Sequence, residues 1–299
     1  MTWLLIAAGV LVLYQAAVVL MVRLGWRIPR VPHRRDPSAL GMAFETIRFG
    51  TARGKSLHGW WIPAGTPETA GATPAPCLVL MHGWGRNVER MLPWIELLHP
   101  AGFDLLAFDA RHHGSSDADA FASMVKFSED IRAAVDVAVR RRGAGKGEVG
   151  VLGLSVGGSA AIHAAAHDRR IAAVATVGAF ADPSEPRVLL GRRWWILAPG
   201  IPLAFRLAER RVGFRFREVA PERLIGKARA RFLVIHGADD VVIPASHARR
   251  LAAASAAARA WVIPGRGHSD PHREPAMAAT LTAFFGAALG GRAQRAASA

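Results

Sequence analysis

A chain of 299 residues, 51% hydrophobic and 20% charged, has enough apolar material for one large core and is too apolar to stay disordered, so one domain with an N-terminal appendage is expected. Its net charge of +15 comes almost wholly from arginine, Lys standing only at 55, 126, 146 and 227. No zinc-finger spacing, basic heptad region or aromatic ribonucleoprotein motif accompanies that charge, which excludes a nucleic-acid partner in favour of an anionic membrane surface.

The segment 2–22 reads TWLLIAAGVLVLYQAAVVLMV and carries no charged side chain. At 1.5 Å per residue it matches the roughly 30 Å hydrocarbon core of a bilayer, and a transmembrane helix is expected. It lacks the basic n-region, short apolar stretch and small-residue cleavage site of a secretory leader. Arg23, Arg27, Arg30, Arg34 and Arg35 follow it, so the positive-inside rule puts the rest of the chain on the cytoplasmic side of a single-pass anchor. Pro29, Pro32 and Pro37 make 23–40 a stiff basic spacer, and the folded domain is expected over 41–290 with a flexible tail at 291–299.

Short apolar runs then alternate with helical patterns. FETIRF (44–49), LHGWWIP (57–63), CLVLMH (77–82), DLLAFD (104–109), EVGVLGL (148–154), AAVATV (172–177), RFLVIH (231–236) and AWVIP (260–264) read as strands. Nearly continuous apolar runs belong to strands buried on both faces, so the fold class is α/β, with a mostly parallel sheet of about eight strands and helices on both faces. Helices are expected at 86–98, 128–142, 156–167, 246–258 and 271–289, with Ser128 capping the second and Asp270 and Pro271 opening the last. Cys77, the single cysteine, opens an apolar strand and should be a buried thiol; no intramolecular disulfide can form.

The segment 182–225 breaks this rhythm. It separates consecutive strands by about 40 residues, too many for a structureless loop, and mixes aromatic and apolar residues with arginine. A helical cap insertion over the functional end of the sheet is expected. Trp194, Trp195 and Phe205 are its candidate substrate-facing residues, and its basic aromatic character suits either a lipid surface or packing on the sheet with solvated arginines.

The strongest local signal is GLSVG at 153–157, between an apolar strand and an alanine-rich helix. A serine on so sharp a turn takes a strained backbone, and small residues two positions either side relieve the crowding. Ser155 is therefore the candidate nucleophile. A hydroxyl needs a base near neutral pKa, and His268 follows a strand in the glycine-rich turn PGRGHSD. His272 reads as a surface residue of the next helix. A carboxylate must then orient the imidazole, with Asp239 and Asp240 adjacent candidates.

With these residues in place the chain resembles the α/β-hydrolase superfamily over roughly 44–289. MHGWGRN (81–87) is similar to the HGxx turn after the third strand. FDARHHGSS (108–116) is similar to D-x-R-G-x-G-x-S, departing at His112, where glycine is usual. IHGADDVVIP (235–244) resembles HGxxDxxVP, and PGRGHSD the GxH segment. The resemblance selects Asp240 as the acid, with Asp182 the alternative used by some members and Asp239 a turn residue. It implies an oxyanion hole from the backbone N–H groups of Trp84 and Val156, and His82 reads as ordering that turn.

The implied chemistry is acyl transfer through an acyl-enzyme on Ser155, with a carboxylic ester of a small molecule or lipid as substrate. A thioesterase or acyltransferase would use the same triad; a membrane-tethered binding module would not need it. RGAGKGE (142–148) lacks the first glycine and the Ser/Thr of a P-loop, and the histidines lack metal-ligand spacing, so no metal and no cofactor are expected.

Overall fold

The protein is seen in a computed structural model that describes residues 1–25, 28–65, 75–142, 148–185 and 200–290. Trp194 and Trp195, Arg27, the glycine-rich stretch 143–147 and the C-terminal residues 291–299 lie outside them.

Helix α1 (Thr2–Gly25) precedes a sheet of β1 (Glu45–Thr51), β2 (Lys55–Ile62), β3 (Cys77–Met81), β4 (Asp104–Phe108), β5 (Val149–Leu154), β6 (Ile171–Val177), β7 (Arg231–Gly237) and β8 (Ala258–Ile263). The strand order is β1-β2-β4-β3-β5-β6-β7-β8. Strand β2 runs antiparallel to both neighbours, and every pairing from β4 to β8 is parallel. Every residue of β3 and β5 is buried, because helices cover both faces. Cys77 is buried at the start of β3.

Helices α2 (Leu92–Leu98), α3 (Met124–Arg142), α4 (Val156–His167), α5 (Ile201–Val212), α6 (Pro221–Leu224), α7 (Ser246–Ala253) and α8 (Met277–Leu289) complete the elements. One core layer joins the sheet to α3, α4 and α7 through Phe127, Ile131, Ala161 and Leu251. The other joins it to α2 and α8 through Trp94, Ile95, Leu281 and Phe285. A side chain buried as fully as Phe285 contributes about 1.5–3 kcal/mol by leaving water.

Four helix boundaries depart from the sequence reading, the first in the helix expected over 86–98, which is a 3-10 turn at Val88–Met91 followed by α2 from Leu92. Helix α3 starts a turn early, where Ser123 Oγ accepts the Lys126 N–H at 3.2 Å; Ser128 is buried inside it, 2.8 Å from His163 Nδ1. The helix expected over 246–258 ends at Ala253, since the chain must turn to enter β8. Asp270 opens only a short 3-10 turn, and the last α-helix begins at Met277.

The segment between β6 and β7 carries α5, a 3-10 turn at Phe216–Val219 and α6. The stretch 28–36, expected to be a spacer, lies against the domain. Ile28 is buried in the core, Arg30 donates to Gly114 O and Ser116 O at 3.1 and 2.6 Å, and Asn87 Nδ2 donates to Val31 O and Pro32 O at 3.1 Å. Prolines withhold helical structure there but leave carbonyls free to accept, so the strap docks through its backbone.

Candidate active site

Ser155 occupies the single-residue turn between β5 and α4, with φ 52° and ψ −121°. That left-handed backbone is strained for a residue with a Cβ. It is held because Ser155 N–H donates to Val177 O at 2.7 Å and Ser155 O accepts from Gly158 and Ser159 at 2.9 and 3.1 Å. A Cβ at Gly153 would overlap the Gly157 carbonyl, and one at Gly157 would overlap the His82 carbonyl. Both glycines are therefore steric requirements of the turn.

Asp240 follows β7 and His268 follows β8, bringing residues 28 apart in sequence together: His268 Nδ1 lies 2.6 Å from Asp240 Oδ2. Asp240 Oδ1 accepts the N–H groups of Val242 and Ile243, both at 2.8 Å. Burial pushes the Asp240 carboxyl up, but hydrogen bonds from His236 and His268, the His268 imidazole and the Ile243 N–H outweigh it. The carboxyl is held well below the usual carboxylate range. An ionised acid beside Nδ1 leaves the other imidazole nitrogen as the basic one.

The remaining candidates are positioned as follows. Asp239 is an exposed turn residue whose N–H meets Arg266 O at 2.9 Å. Asp182 caps its own turn, accepting from Ser184 N at 2.7 Å. His272 packs edge-on against Trp94. His82 is fully buried: Nδ1 donates to Gly83 O at 2.7 Å and Nε2 accepts from Ala110 N at 3.0 Å. Burial lowers its pKa, keeping it neutral, as a residue that orders the turn requires.

Trp84 and Val156 begin the two segments that flank Ser155, and Gly83 sits so close that a Cβ there would lie 3.4 Å from Ser155 Cβ. Among the described residues neither the Trp84 nor the Val156 N–H has a protein acceptor, which leaves both available to a ligand oxygen. The neighbouring Gly85 N–H donates to His113 Nε2 at 3.2 Å, and His113 packs against His82, Trp84 and Phe127.

Ser155 and His268 line one cavity of about 240 Å³ with Gly83, Trp84, Arg86, Arg90, Trp94, Leu154, Val177, Val242, Ser269 and Pro271. Phe205 lies on α5 with its ring 5.8 Å from that of Phe216, and does not line this cavity.

Several contributors carry no signature that single-sequence reading could weigh. Gly178 has φ +65°, and a Cβ there would sit 3.0 Å from the His268 ring, so glycine makes room for the imidazole. Asp270 Oδ1 accepts the Gly267 N–H at 2.7 Å, and Arg90 Nη2 reaches Ser269 O at 2.7 Å, pinning both sides of His268. His236 Nε2 stands 3.2 Å from Asp240 Oδ2. His112, the departure from the family motif, has φ +67°, which explains why glycine is usual there.

Asp109 Oδ1 accepts from Val88 N at 2.7 Å and Oδ2 from Ser115 N at 2.8 Å, tying the two loops together, with His33 Nε2 at 2.8 Å from Oδ2. His33, His58 and Asp109 are the described residues whose spacing could hold a metal ion. The His33 contact and two backbone donors already occupy the Asp109 carboxylate.

A family model described as serine aminopeptidase, S33, matches residues 72–211. The uncharacterised protein YqkD of Bacillus subtilis is 28% identical over 209 residues, 67% of this chain and 65% of that protein. A thiohydrolase, aneE, of Aspergillus aculeatus is 31% identical over 137 residues, 45% of this chain and 41% of that one. The chain thus spans less than two thirds of the length of either relative. Among solved structures, the Pyrococcus furiosus esterase Pf2001 superposes with a TM-score of 0.67 at 19% identity, covering 87% of this chain and 96% of its own.

Proposed function

We propose that the chain is a serine hydrolase of the α/β-hydrolase superfamily that cleaves a carboxylic ester of a lipophilic acyl group, a reading supported by the family model over 72–211 and by the superposition on an esterase fold. The observation that carries this reading is the 2.6 Å hydrogen bond between His268 Nδ1 and Asp240 Oδ2, beside a cavity into which the strained Ser155 turn opens.

In the proposed cycle the free nitrogen of His268 takes the Ser155 hydroxyl proton as Oγ attacks the acyl carbon. Asp240 stabilises the imidazolium, and the Trp84 and Val156 N–H groups receive the oxyanion. His268 then protonates the leaving alkoxide and activates the water that releases the acyl group. Trp84, Trp94, Leu154, Val177 and Val242 give the cavity an apolar wall suited to an acyl chain, while Arg86 and Arg90 add cations to its lining.

A thioester is the second reading. A thiolate leaves more readily than an alkoxide, so the same groups suffice, and the Aspergillus relative is described as a thiohydrolase.

Helix α1 contains a stretch, Thr2–Leu20, long and apolar enough to cross a membrane. We read it as a single-pass anchor with the catalytic domain on the cytoplasmic side, on the strength of the arginines that follow it. Protease protection in sealed vesicles tests the orientation; digestion of the domain from the luminal or periplasmic side would overturn it.

The chemistry is tested with a fluorophosphonate probe and p-nitrophenyl esters of increasing chain length. Labelling and turnover should be present in the wild type and lost in Ser155→Ala and His268→Ala. A folded wild-type protein that neither labels nor turns over any ester or thioester would rule the enzyme out.

A further inference from the structure

Helix α1 does not stand clear of the domain. Trp3, Leu4, Leu5, Val12 and Leu13 are exposed, but Val18 is buried against Ala204 of α5. The Tyr14 hydroxyl accepts the Gly200 N–H at 3.2 Å, and a Cβ on Gly200 would come within 2.6 Å of Val18 Cγ2. Glycine at 200 is thus what lets the start of α5 approach α1.

The strap 28–36 provides a second tether. Arg30, His33 and the carbonyls of Val31 and Pro32 fasten it to the segments after β3 and β4. Those segments leave the carboxyl ends of their strands, the end that also presents Ser155 and His268. The strap that follows α1 therefore lies on the catalytic end of the sheet.

Depth along α1 decides what this means for α5. Val18 and Tyr14 precede Arg23 by five and nine residues, roughly 8 and 14 Å at the helical rise. The polar interface on each side of a bilayer is only about 5–8 Å thick. With Arg23 at the headgroups, the contacts of Val18 and Tyr14 with α5 lie at or below the hydrocarbon boundary.

The first turn of α5 carries no charge that would oppose that depth. Ile201, Pro202 and Leu203 are uncharged, Pro202 is exposed and has no N–H, and the Gly200 N–H is bonded to Tyr14. Exposed charge begins at Arg206 and continues at Arg210, about one and two turns further along, where the helix can reach lipid phosphates.

We propose that the first turn of α5 is embedded in the bilayer beside α1, so that the catalytic end of the sheet faces the membrane and draws its substrate, an acyl ester of a membrane lipid, from it. This rests on the anchored serine-hydrolase reading and adds how the domain is docked and what it takes.

The full-length protein carrying an environment-sensitive fluorophore on Leu5→Cys, Pro202→Cys or Ala256→Cys tests it, Cys77 being buried. Ala256 is exposed just before β8, at the opposite end of the sheet. In phosphatidylcholine and phosphatidylglycerol vesicles with brominated acyl chains, the probes at 5 and 202 should lose most of their emission and the probe at 256 should keep it. Quenching at 5 without quenching at 202 overturns the embedding; no quenching at either overturns the anchor as well.

Leu203→Glu should lower turnover of a vesicle-borne acyl ester several-fold while leaving p-nitrophenyl acetate turnover unchanged. Equal rates on the vesicle substrate would overturn delivery from the membrane. Fluorophosphonate labelling of Ser155 in the same samples separates the readings: a quenched 202 probe in an unlabelled protein supports the docking and overturns the enzyme.

Discussion

His268 Nδ1 and Asp240 Oδ2 meet at 2.6 Å while the other Asp240 oxygen accepts two backbone N–H groups, from Val242 and Ile243. The carboxylate is thus aimed by the chain rather than by the histidine it meets. Asp240→Asn keeps the shape but places an amide opposite Nδ1, where it no longer stabilises an imidazolium. The kcat for an ester should fall about 10³–10⁴-fold with KM little changed, measured by steady-state kinetics.

Gly157→Ala would drive a methyl group into the His82 carbonyl and to 2.7 Å from Met81 Cγ. Backbone cannot retreat without moving the turn that carries Trp84. The variant should be destabilised by about 2 kcal/mol or more in urea unfolding and should lose fluorophosphonate labelling in the fraction that folds.

His33→Ala should free the strap. His33 donates to a buried carboxylate that ties together the loops after β3 and β4, and the Asp109 hydrogen bond is the leading cause that raises its pKa. Removing it should cost about 1–3 kcal/mol of stability and increase cleavage within 28–36 in limited proteolysis.

Acid should weaken the fold through buried neutral histidines. Burial, then His167 and Arg132, lowers His163 to about 4, and burial with His82 lowers His113 to about 3. Between about pH 6.5 and those values the unfolded chain binds protons that the native chain refuses, so stability is full above 6.5 and declines as pH falls. For His163 the loss should be on the order of 3 kcal/mol by pH about 4, and His163→Gln should flatten the profile of melting temperature against pH.

Arg86 lines the cavity beside Ser155. Arg86→Ala should raise KM for an ester bearing a carboxylate or phosphate and leave a neutral butyrate ester little affected. Comparing kcat/KM for the two substrates measures the preference, and an equal change in both would remove Arg86 from substrate selection.

The continuous apolar runs made the eight strands legible, since a strand buried on both faces has few other compositions. The Ser155 turn was equally legible, because its strain demands glycine at 153 and 157. Helix starts were less so: Ser123 and Ser128 offer the same capping chemistry five residues apart, and only packing against His163 buries the second. The docking of 28–36 was not legible either, because its bonds are mostly to carbonyls, which every residue possesses.

The sequence by itself determined the sheet, the strained Ser155 turn and the apolar N-terminal helix, all of which depend on the residue types within one short segment. Only the tertiary structure decided that Gly178 clears space for His268, that Asp270 and Arg90 pin its loop, and that α1 meets α5 through Tyr14 and Gly200. Those are contacts between distant segments. Their energies depend on where the fold brings each backbone, and no local pattern of side chains encodes that.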